Sequence, residues 1–169
     1  FAIYDIQEDY IFISRDRFGI KPLHYIFTPK CFIFASELKA FKYITDYTPD
    51  IDYESAYVFL NNGFGLEGTK RTMLKHVQRL QGGHYGIIKN NQLVIKRWWN
   101  TADHLVDVPI SFERQVEVFR ELFYDSVKLR MRSDVQIATC LSGGFDSSAI
   151  TCALSEIGKT MHDIRMQKN

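Results

Sequence analysis

Leu141-Ser142-Gly143-Gly144-Phe145-Asp146-Ser147-Ser148 joins a short apolar run to an amphipathic one. Upstream, Val135 to Leu141 (VQIATCL) is mostly apolar and partly β-branched, the composition of a strand buried in a parallel sheet. Downstream, Ser148 to Gly158 (SAITCALSEIG) sets Ile150, Leu154 and Ile157 at steps of four and three, which predicts a helix stopping at Gly158. The expected path is strand, glycine turn, helix. Two adjacent glycines let backbone approach a ligand closely, and the free N–H groups at a helix start favour an anion. Ser142, Ser147 and Ser148 can donate to phosphate oxygens, whereas Asp146 would repel phosphate unless a divalent cation lay between them. Asp146 is therefore read as a Mg²⁺ ligand.

A glycine turn whose serines only cap a helix is the simpler reading of such a stretch. The pattern S-G-G-x-D-S is longer than that reading needs. With Ser, Gly and Asp each at about 5–7% of residues, it arises by chance in roughly one chain of this size in several thousand. No Lys follows the glycines, so it is not a Walker loop.

The rest of the chain bounds the classes available. Its 169 residues allow one domain or two small ones, and 46% hydrophobic with 24% charged residues is ordinary for a globular chain. Net charge is +1. The basic residues are scattered apart from Lys128, Arg130 and Arg132, which read as a helix end, so no nucleic-acid footprint is expected. No apolar run approaches the length of a membrane span, and no signal peptide opens the sequence. Three cysteines, Cys31, Cys140 and Cys152, sit in apolar runs; an odd number argues for a reducing cytoplasm and for core packing rather than disulfides. The chain opens at Phe1 inside what reads as a strand, as an internal fragment would.

Taken in order, Phe1 to Ile6 and Tyr10 to Ser14 form a hairpin around Gln7-Glu8-Asp9. Ser14 to Tyr25 (SRDRFGIKPLHY) is a charged turn entering a strand. Leu23 to Phe27 and Cys31 to Ala35 form a second hairpin across Thr28-Pro29-Lys30. Ser36 is expected to cap a short helix with Leu38, Phe41 and Ile44 on one face. Asp52 to Gly63 predicts a helix with Ala56, Phe59 and Leu60 inward. His84 to Lys89 and Gln92 to Trp98 pair across Asn90-Asn91. His84, with no acid paired to it, reads as structural. Thr101 to Pro109 reads as a linker, and Ser111 to Arg132 as one long helix capped by Ser111, with Phe112, Val116, Phe119, Phe123 and Val127 in a stripe.

The S-G-G-x-D-S stretch resembles the PP-loop of N-type ATP pyrophosphatases, and in its flanks it resembles the glutamine-hydrolysing asparagine synthase family. FAIYD, then RDRFGIKPLHY, then FASELKAF follow in the order and spacing seen in the second half of that family's glutaminase domain. Where the family often has L-P-P-G-H-Y and R-Y-W-D, this chain has LQGGHY (Leu80 to Tyr85) and RWWN (Arg97 to Asn100); the turn is expected to be looser. Gln136 stands where the family has proline, and Phe145 where it more often has Leu, adding bulk beside the loop.

The resemblance implies an α/β and α+β chain. Residues 1–100 would be the C-terminal half of an N-terminal-nucleophile glutaminase sandwich built of antiparallel hairpins and helices, with 101–110 a linker. Residues 111–169 would be the first helix, strand, loop and helix of a parallel-sheet PP-loop domain. It implies a cytoplasmic ligase that amidates aspartate through β-aspartyl-AMP, using ATP, Mg²⁺ and ammonia released from glutamine. A homodimer is one option for its assembly, with no nucleic-acid or membrane partner. Leu141 would meet the nucleotide through its backbone, Ser142, Gly143, Gly144, Ser147 and Ser148 would cradle pyrophosphate, and Asp146 would hold magnesium. The glutaminase nucleophile would precede Phe1 and the adenine and aspartate sites would follow Asn169, so these residues alone are expected to be inactive and prone to aggregate. A β-lactam-synthetase-like amidoligase with another carboxylate, and a non-catalytic remnant, remain the alternatives.

Overall fold

The computed structural model describes residues 1–45 and 47–166, with side chains as far as residue 159. The chain divides into two compact units, Phe1–Leu105 and Val106–Asn169.

The first unit is built from hairpins. Strands β1 (Ala2–Asp5) and β2 (Tyr10–Ser14) are antiparallel, with Ala2 opposite Ile13 and Asp5 opposite Tyr10. Asp5 accepts the N–H groups of Gln7 and Glu8 (3.0 Å each), and Asp9 takes a positive φ, so the turn closes on its own polar side chains. Strands β3 (His24–Phe27) and β4 (Phe32–Ala35) form the second hairpin, with Thr28 Oγ1 accepting from the N–H groups of Lys30 and Cys31. The two-residue strand β5 (Gln78–Arg79) pairs with β3. Strands β6 (His84–Lys89) and β7 (Gln92–Arg97) pair across Asn90 and Asn91, both left-handed as a type I′ turn requires. The result is a four-stranded sheet β1-β2-β6-β7 and a three-stranded sheet β4-β3-β5.

Burial follows from β3 lying between layers. Tyr25 on one of its faces joins Ile13, Leu23, Leu80 and Ile88 in the core between the sheets. Ile26, on the other face, packs with Phe41 and Val77. Phe41 belongs to a 3-10 turn, Leu38–Tyr43, whose neighbours Leu38 and Ile44 pack on the same cluster, the face expected from the sequence. Its N-cap is Glu37 rather than Ser36, with no side-chain cap bond.

Helix α1 (Tyr53–Asn62) starts at Asp52, whose carboxylate accepts from Ser55 N (3.2 Å), and ends at left-handed Gly63. Its buried face differs from the expected one. Ser55 is fully buried and Ala56 half-buried, while Phe59 and Leu60 are exposed, Leu60 to 81%. Asp52 holds both Ser55 Oγ (3.0 Å) and Arg71, and this polar anchor turns the helix.

In the second unit, α2 (Phe112–Arg130) begins at Ser111, whose hydroxyl accepts from Arg114 N at 3.3 Å. Only the C-terminal part of its apolar stripe is covered: Val127 is buried and Phe123 half-buried, but Phe112, Val116 and Phe119 are exposed. Helix α3 (Phe145–Met166) packs on α2 through buried Ala153, and Tyr124 donates a hydrogen bond to Glu156. It runs on past Gly158, which was expected to end it. A single exposed or half-exposed glycine costs a helix about 1 kcal/mol, less than the flanking turns supply.

The strand expected at Val135–Leu141 does not form. Those residues are irregular and exposed, Val135 to 76%. A parallel strand exists only through a neighbour's ladder, and among the described residues the second unit contains no other strand. The antiparallel, α+β part of the expected fold is present, and the parallel-sheet part is not. The cysteines are exposed as well: Cys31 at a hairpin turn, Cys140 in the irregular segment and Cys152 on the outer side of α3.

Candidate functional site

The stretch Ser142 to Ser148 is an open bend at the start of a long helix. Gly143 has φ +79° and nothing within 4 Å of where a Cβ would stand, so the bend uses a conformation glycine adopts at no steric cost. Around it the serines bond to one another. Ser142 Oγ lies 2.9 Å from Ser147 Oγ, Ser142 N donates to Ser147 Oγ (3.3 Å), and Gly144 N donates to Ser142 Oγ (3.4 Å). The Gly144 carbonyl accepts from Ser147 Oγ (3.1 Å), Ser148 Oγ (2.8 Å) and Ser148 N (3.2 Å).

Ser142, Gly144, Ser147 and Ser148 thus form one hydrogen-bonded network at the positive end of the α3 dipole, where first-turn N–H groups lack helical partners. Leu141 and Asp146 are exposed and stand outside this network, with Asp146 in the first helical turn. Phe145 is 89% exposed and leaves the bend open. The groups present are donor hydroxyls and amides and one carboxylate, that of Asp146. That set suits Mg²⁺ held jointly with phosphate oxygens, since this ion commonly takes one or two carboxylates plus phosphates. Among the described residues no three His, Cys, Asp or Glu side chains gather to hold a metal by themselves.

A second organised loop lies in the first unit, at Asp16 to Lys21. The Asp16 carboxylate accepts from the N–H groups of Phe18 (3.2 Å), Ile20 (2.9 Å) and Lys21 (3.0 Å). Burial pushes this carboxyl up, but those three donors outweigh it and hold Asp16 below the ordinary carboxylate range. Arg15 is the hub the sequence reading passed over as one charge in a turn. It is buried, and its guanidinium donates to the carbonyls of Lys21 (2.8 Å), Leu80 (2.6 Å) and Gly19. The signal was present in strand parity, because Ile11, Ile13 and Arg15 alternate onto the inner face. A cavity of about 550 Å³ opens beside this loop, bordered by Arg15, Asp16, Lys21, Leu23, Phe34 and Trp98.

Residues 1–99 match the family model for a glutamine amidotransferase domain, and residues 118–166 match the model for asparagine synthase. The chain belongs to the asparagine synthase family. It is 36% identical over 156 residues to asparagine synthetase [glutamine-hydrolyzing] 3 of Bacillus subtilis, an alignment covering 89% of this chain and 24% of that protein. It is 32% identical over 159 residues to the putative asparagine synthetase [glutamine-hydrolyzing] 2 of Methanocaldococcus jannaschii, covering 92% and 30%. Amidase chyE of Penicillium rubens is 29% identical over 160 residues, covering 93% and 23%. The chain therefore spans between about a fifth and a third of the length of such curated relatives.

Within this member of the asparagine synthase family, the turn at Leu80 to Tyr85 is held closely where loosening was expected. Gly83 N donates to Asp16 O (2.8 Å), and Gly83 O accepts from Trp98 N (2.8 Å). A Cβ on Gly82 would lie 2.7 Å from Gly19 N. The glycine in place of proline thus lets the two loops touch backbone to backbone. His84 binds the Gly82 carbonyl through Nδ1 (2.8 Å), in keeping with its structural reading. The first part of the linker is ordered: Thr101–His104 is a 3-10 turn, and His104 stacks on Trp99 with ring centroids 3.8 Å apart. No helix among the described residues is long and apolar enough to cross a membrane.

Proposed function

We propose that the chain is part of a ligase that amidates aspartate to asparagine, taking ammonia from glutamine and forming β-aspartyl-AMP from ATP. In this reading residues 1–100 are the later half of the glutaminase domain and 111–169 the beginning of the synthetase domain, joined by 101–110. One observation carries it: beside a left-handed Gly143 at the start of α3, the hydroxyls of Ser147 and Ser148 converge on the Gly144 carbonyl and Ser142 Oγ bonds Ser147 Oγ. That is a built cradle of donors at a helix N-terminus, the chemistry that favours a leaving pyrophosphate.

The roles follow from the chemistry of each group. Gly143 and Gly144 present backbone N–H groups without side-chain bulk. Ser142, Ser147 and Ser148 exchange their mutual bonds for bonds to phosphate oxygens. Asp146 holds the Mg²⁺ that offsets phosphate charge, and the backbone of Leu141 borders the nucleotide. ATP supplies the activated phosphate that turns a carboxylate into an acyl adenylate. The cytoplasm and a homodimeric assembly belong to the same proposal.

Calorimetric titration of the chain with pyrophosphate and Mg²⁺ tests the cradle. Saturable binding is expected, weakened at least about tenfold by Asp146→Ala or Ser142→Ala, the scale of one charge-assisted contact. No binding by the wild-type chain favours a remnant without turnover. The similarity to Amidase chyE supports a second reading, in which the same cradle serves another carboxylate. Identification of the amide formed by the complete enzyme separates asparagine from any other product.

A further inference from the structure

We infer that His24 is an acid-sensitive catch in the first unit, whose protonation loosens β3 from β5. The residue opens strand β3, opposite Ala35 of β4 and Arg79 of β5. It is only 6% exposed, and its Nδ1 is buried with no hydrogen-bond partner. In a neutral ring that atom can be an unused lone pair, a modest penalty. An imidazolium carries N–H groups on both nitrogens, so Nδ1 would become a buried donor with nothing to donate to.

The surrounding charges aggravate this. Arg79 acts on the ring from β5 and Arg15 from the end of β2, and both disfavour a third positive charge. The backbone at Ser36, after β4, is the counterweight that favours protonation. Neither arginine can readily turn away, because Arg15 is tied to the Leu80 carbonyl (2.6 Å) and Arg79 to the Leu66 carbonyl (2.7 Å). Burial first, then Arg79, place the ring's protonation below its ordinary value of 6.5. The folded state therefore binds this proton less readily than the unfolded chain does. Stability from the site is complete above pH 6.5 and is lost as the pH falls from there toward the lowered folded value. The first pairing to yield is His24 with Arg79, which anchors the strand leading into buried Leu80.

Thermal melts of the full chain between pH 7.5 and 5.0 read this directly. The wild type is expected to lose several degrees of melting temperature across that range, with most of the loss below pH 6.5, and His24→Phe to lose most of that slope. Parallel curves for the two proteins would overturn the inference. NMR titration of the wild-type histidine rings gives the same answer should His24→Phe fail to fold. One of the five rings is expected to resist protonation below pH 6.5 while the amides of β3 and β5 broaden. Five rings titrating at or above 6.5 would refute the catch.

Discussion

Gly82 and Arg15 are residues at which the packing of the first unit leaves little room for change. The Cβ of Gly82→Ala would sit 2.7 Å from Gly19 N and 2.9 Å from Phe18 C, both backbone atoms that cannot swing aside. We expect this single methyl to destabilise the chain by about 2 kcal/mol, the ordinary penalty of overpacking, read as a lower urea midpoint. Arg15→Met preserves the volume but leaves the carbonyls of Lys21, Leu80 and Gly19 without their donor. A loss of about 3 kcal/mol is expected in the same measurement, since buried acceptors left unmade cost more than a made bond contributes. Arg15→Lys recovers only part of it, because one ammonium cannot reproduce a planar fork. A neutral Arg15→Met would show that water enters the loop and replaces the guanidinium.

At the scale of elements, the Asp52 cap illustrates how one side chain sets a helix. It accepts from Ser55 N, Ser55 Oγ and Arg71, and the Arg71 guanidinium holds its carboxyl below the ordinary value of 3.8. Asp52→Ala is expected to cost about 1 kcal/mol at pH 7. The carboxylate's folded value is depressed, so its contribution is full above pH 3.8 and disappears as the pH falls through that lowered value. Asp52→Asn keeps the cap and flattens the acid limb of a stability-against-pH curve.

The three hairpins were legible in the sequence because their turns carry their own instructions, Asn90-Asn91 and Thr28-Pro29 among them. The α1 boundaries were legible for the same reason, at Asp52 and Gly63. Other features depend on partners that no local pattern encodes. Val135–Leu141 has a strand's composition and no neighbour to ladder with. The inward face of α1 is decided by the Asp52 and Arg71 anchor, which its apolar spacing does not contain. In the candidate cradle, the glycines and serines could be read directly. The bonds Ser142 and Ser147 make to each other, and those of Ser147 and Ser148 to the Gly144 carbonyl, could not.

At the scale of the whole chain, two units meet at a connection whose residues Leu105, Val106, Val108 and Ile110 are all exposed. Thermolysin cleaves before such aliphatic residues when their backbone is accessible. Limited digestion is expected to cut between positions 105 and 110 and in the irregular, exposed 135–141 segment, and to leave the first unit as an intact piece resolved by mass spectrometry. Simultaneous cleavage throughout both units would contradict the division. The exposed Phe112, Val116 and Phe119 of α2 form an uncovered apolar stripe, the kind of surface that drives association.

The stack of Trp99 and His104 has a practical consequence. Arg17 also lies over the Trp99 ring at 4.7 Å, and Trp98 and Trp99 are the two indoles in the chain. Indole emission responds to what covers the ring, so the chain contains a built-in optical gauge. His104→Ala is expected to shift the indole emission, because the Trp99 face then loses its stacked ring and meets water. Ultraviolet-excited emission thereby reports, without any attached dye, whether the segment leaving the sheets is docked or free.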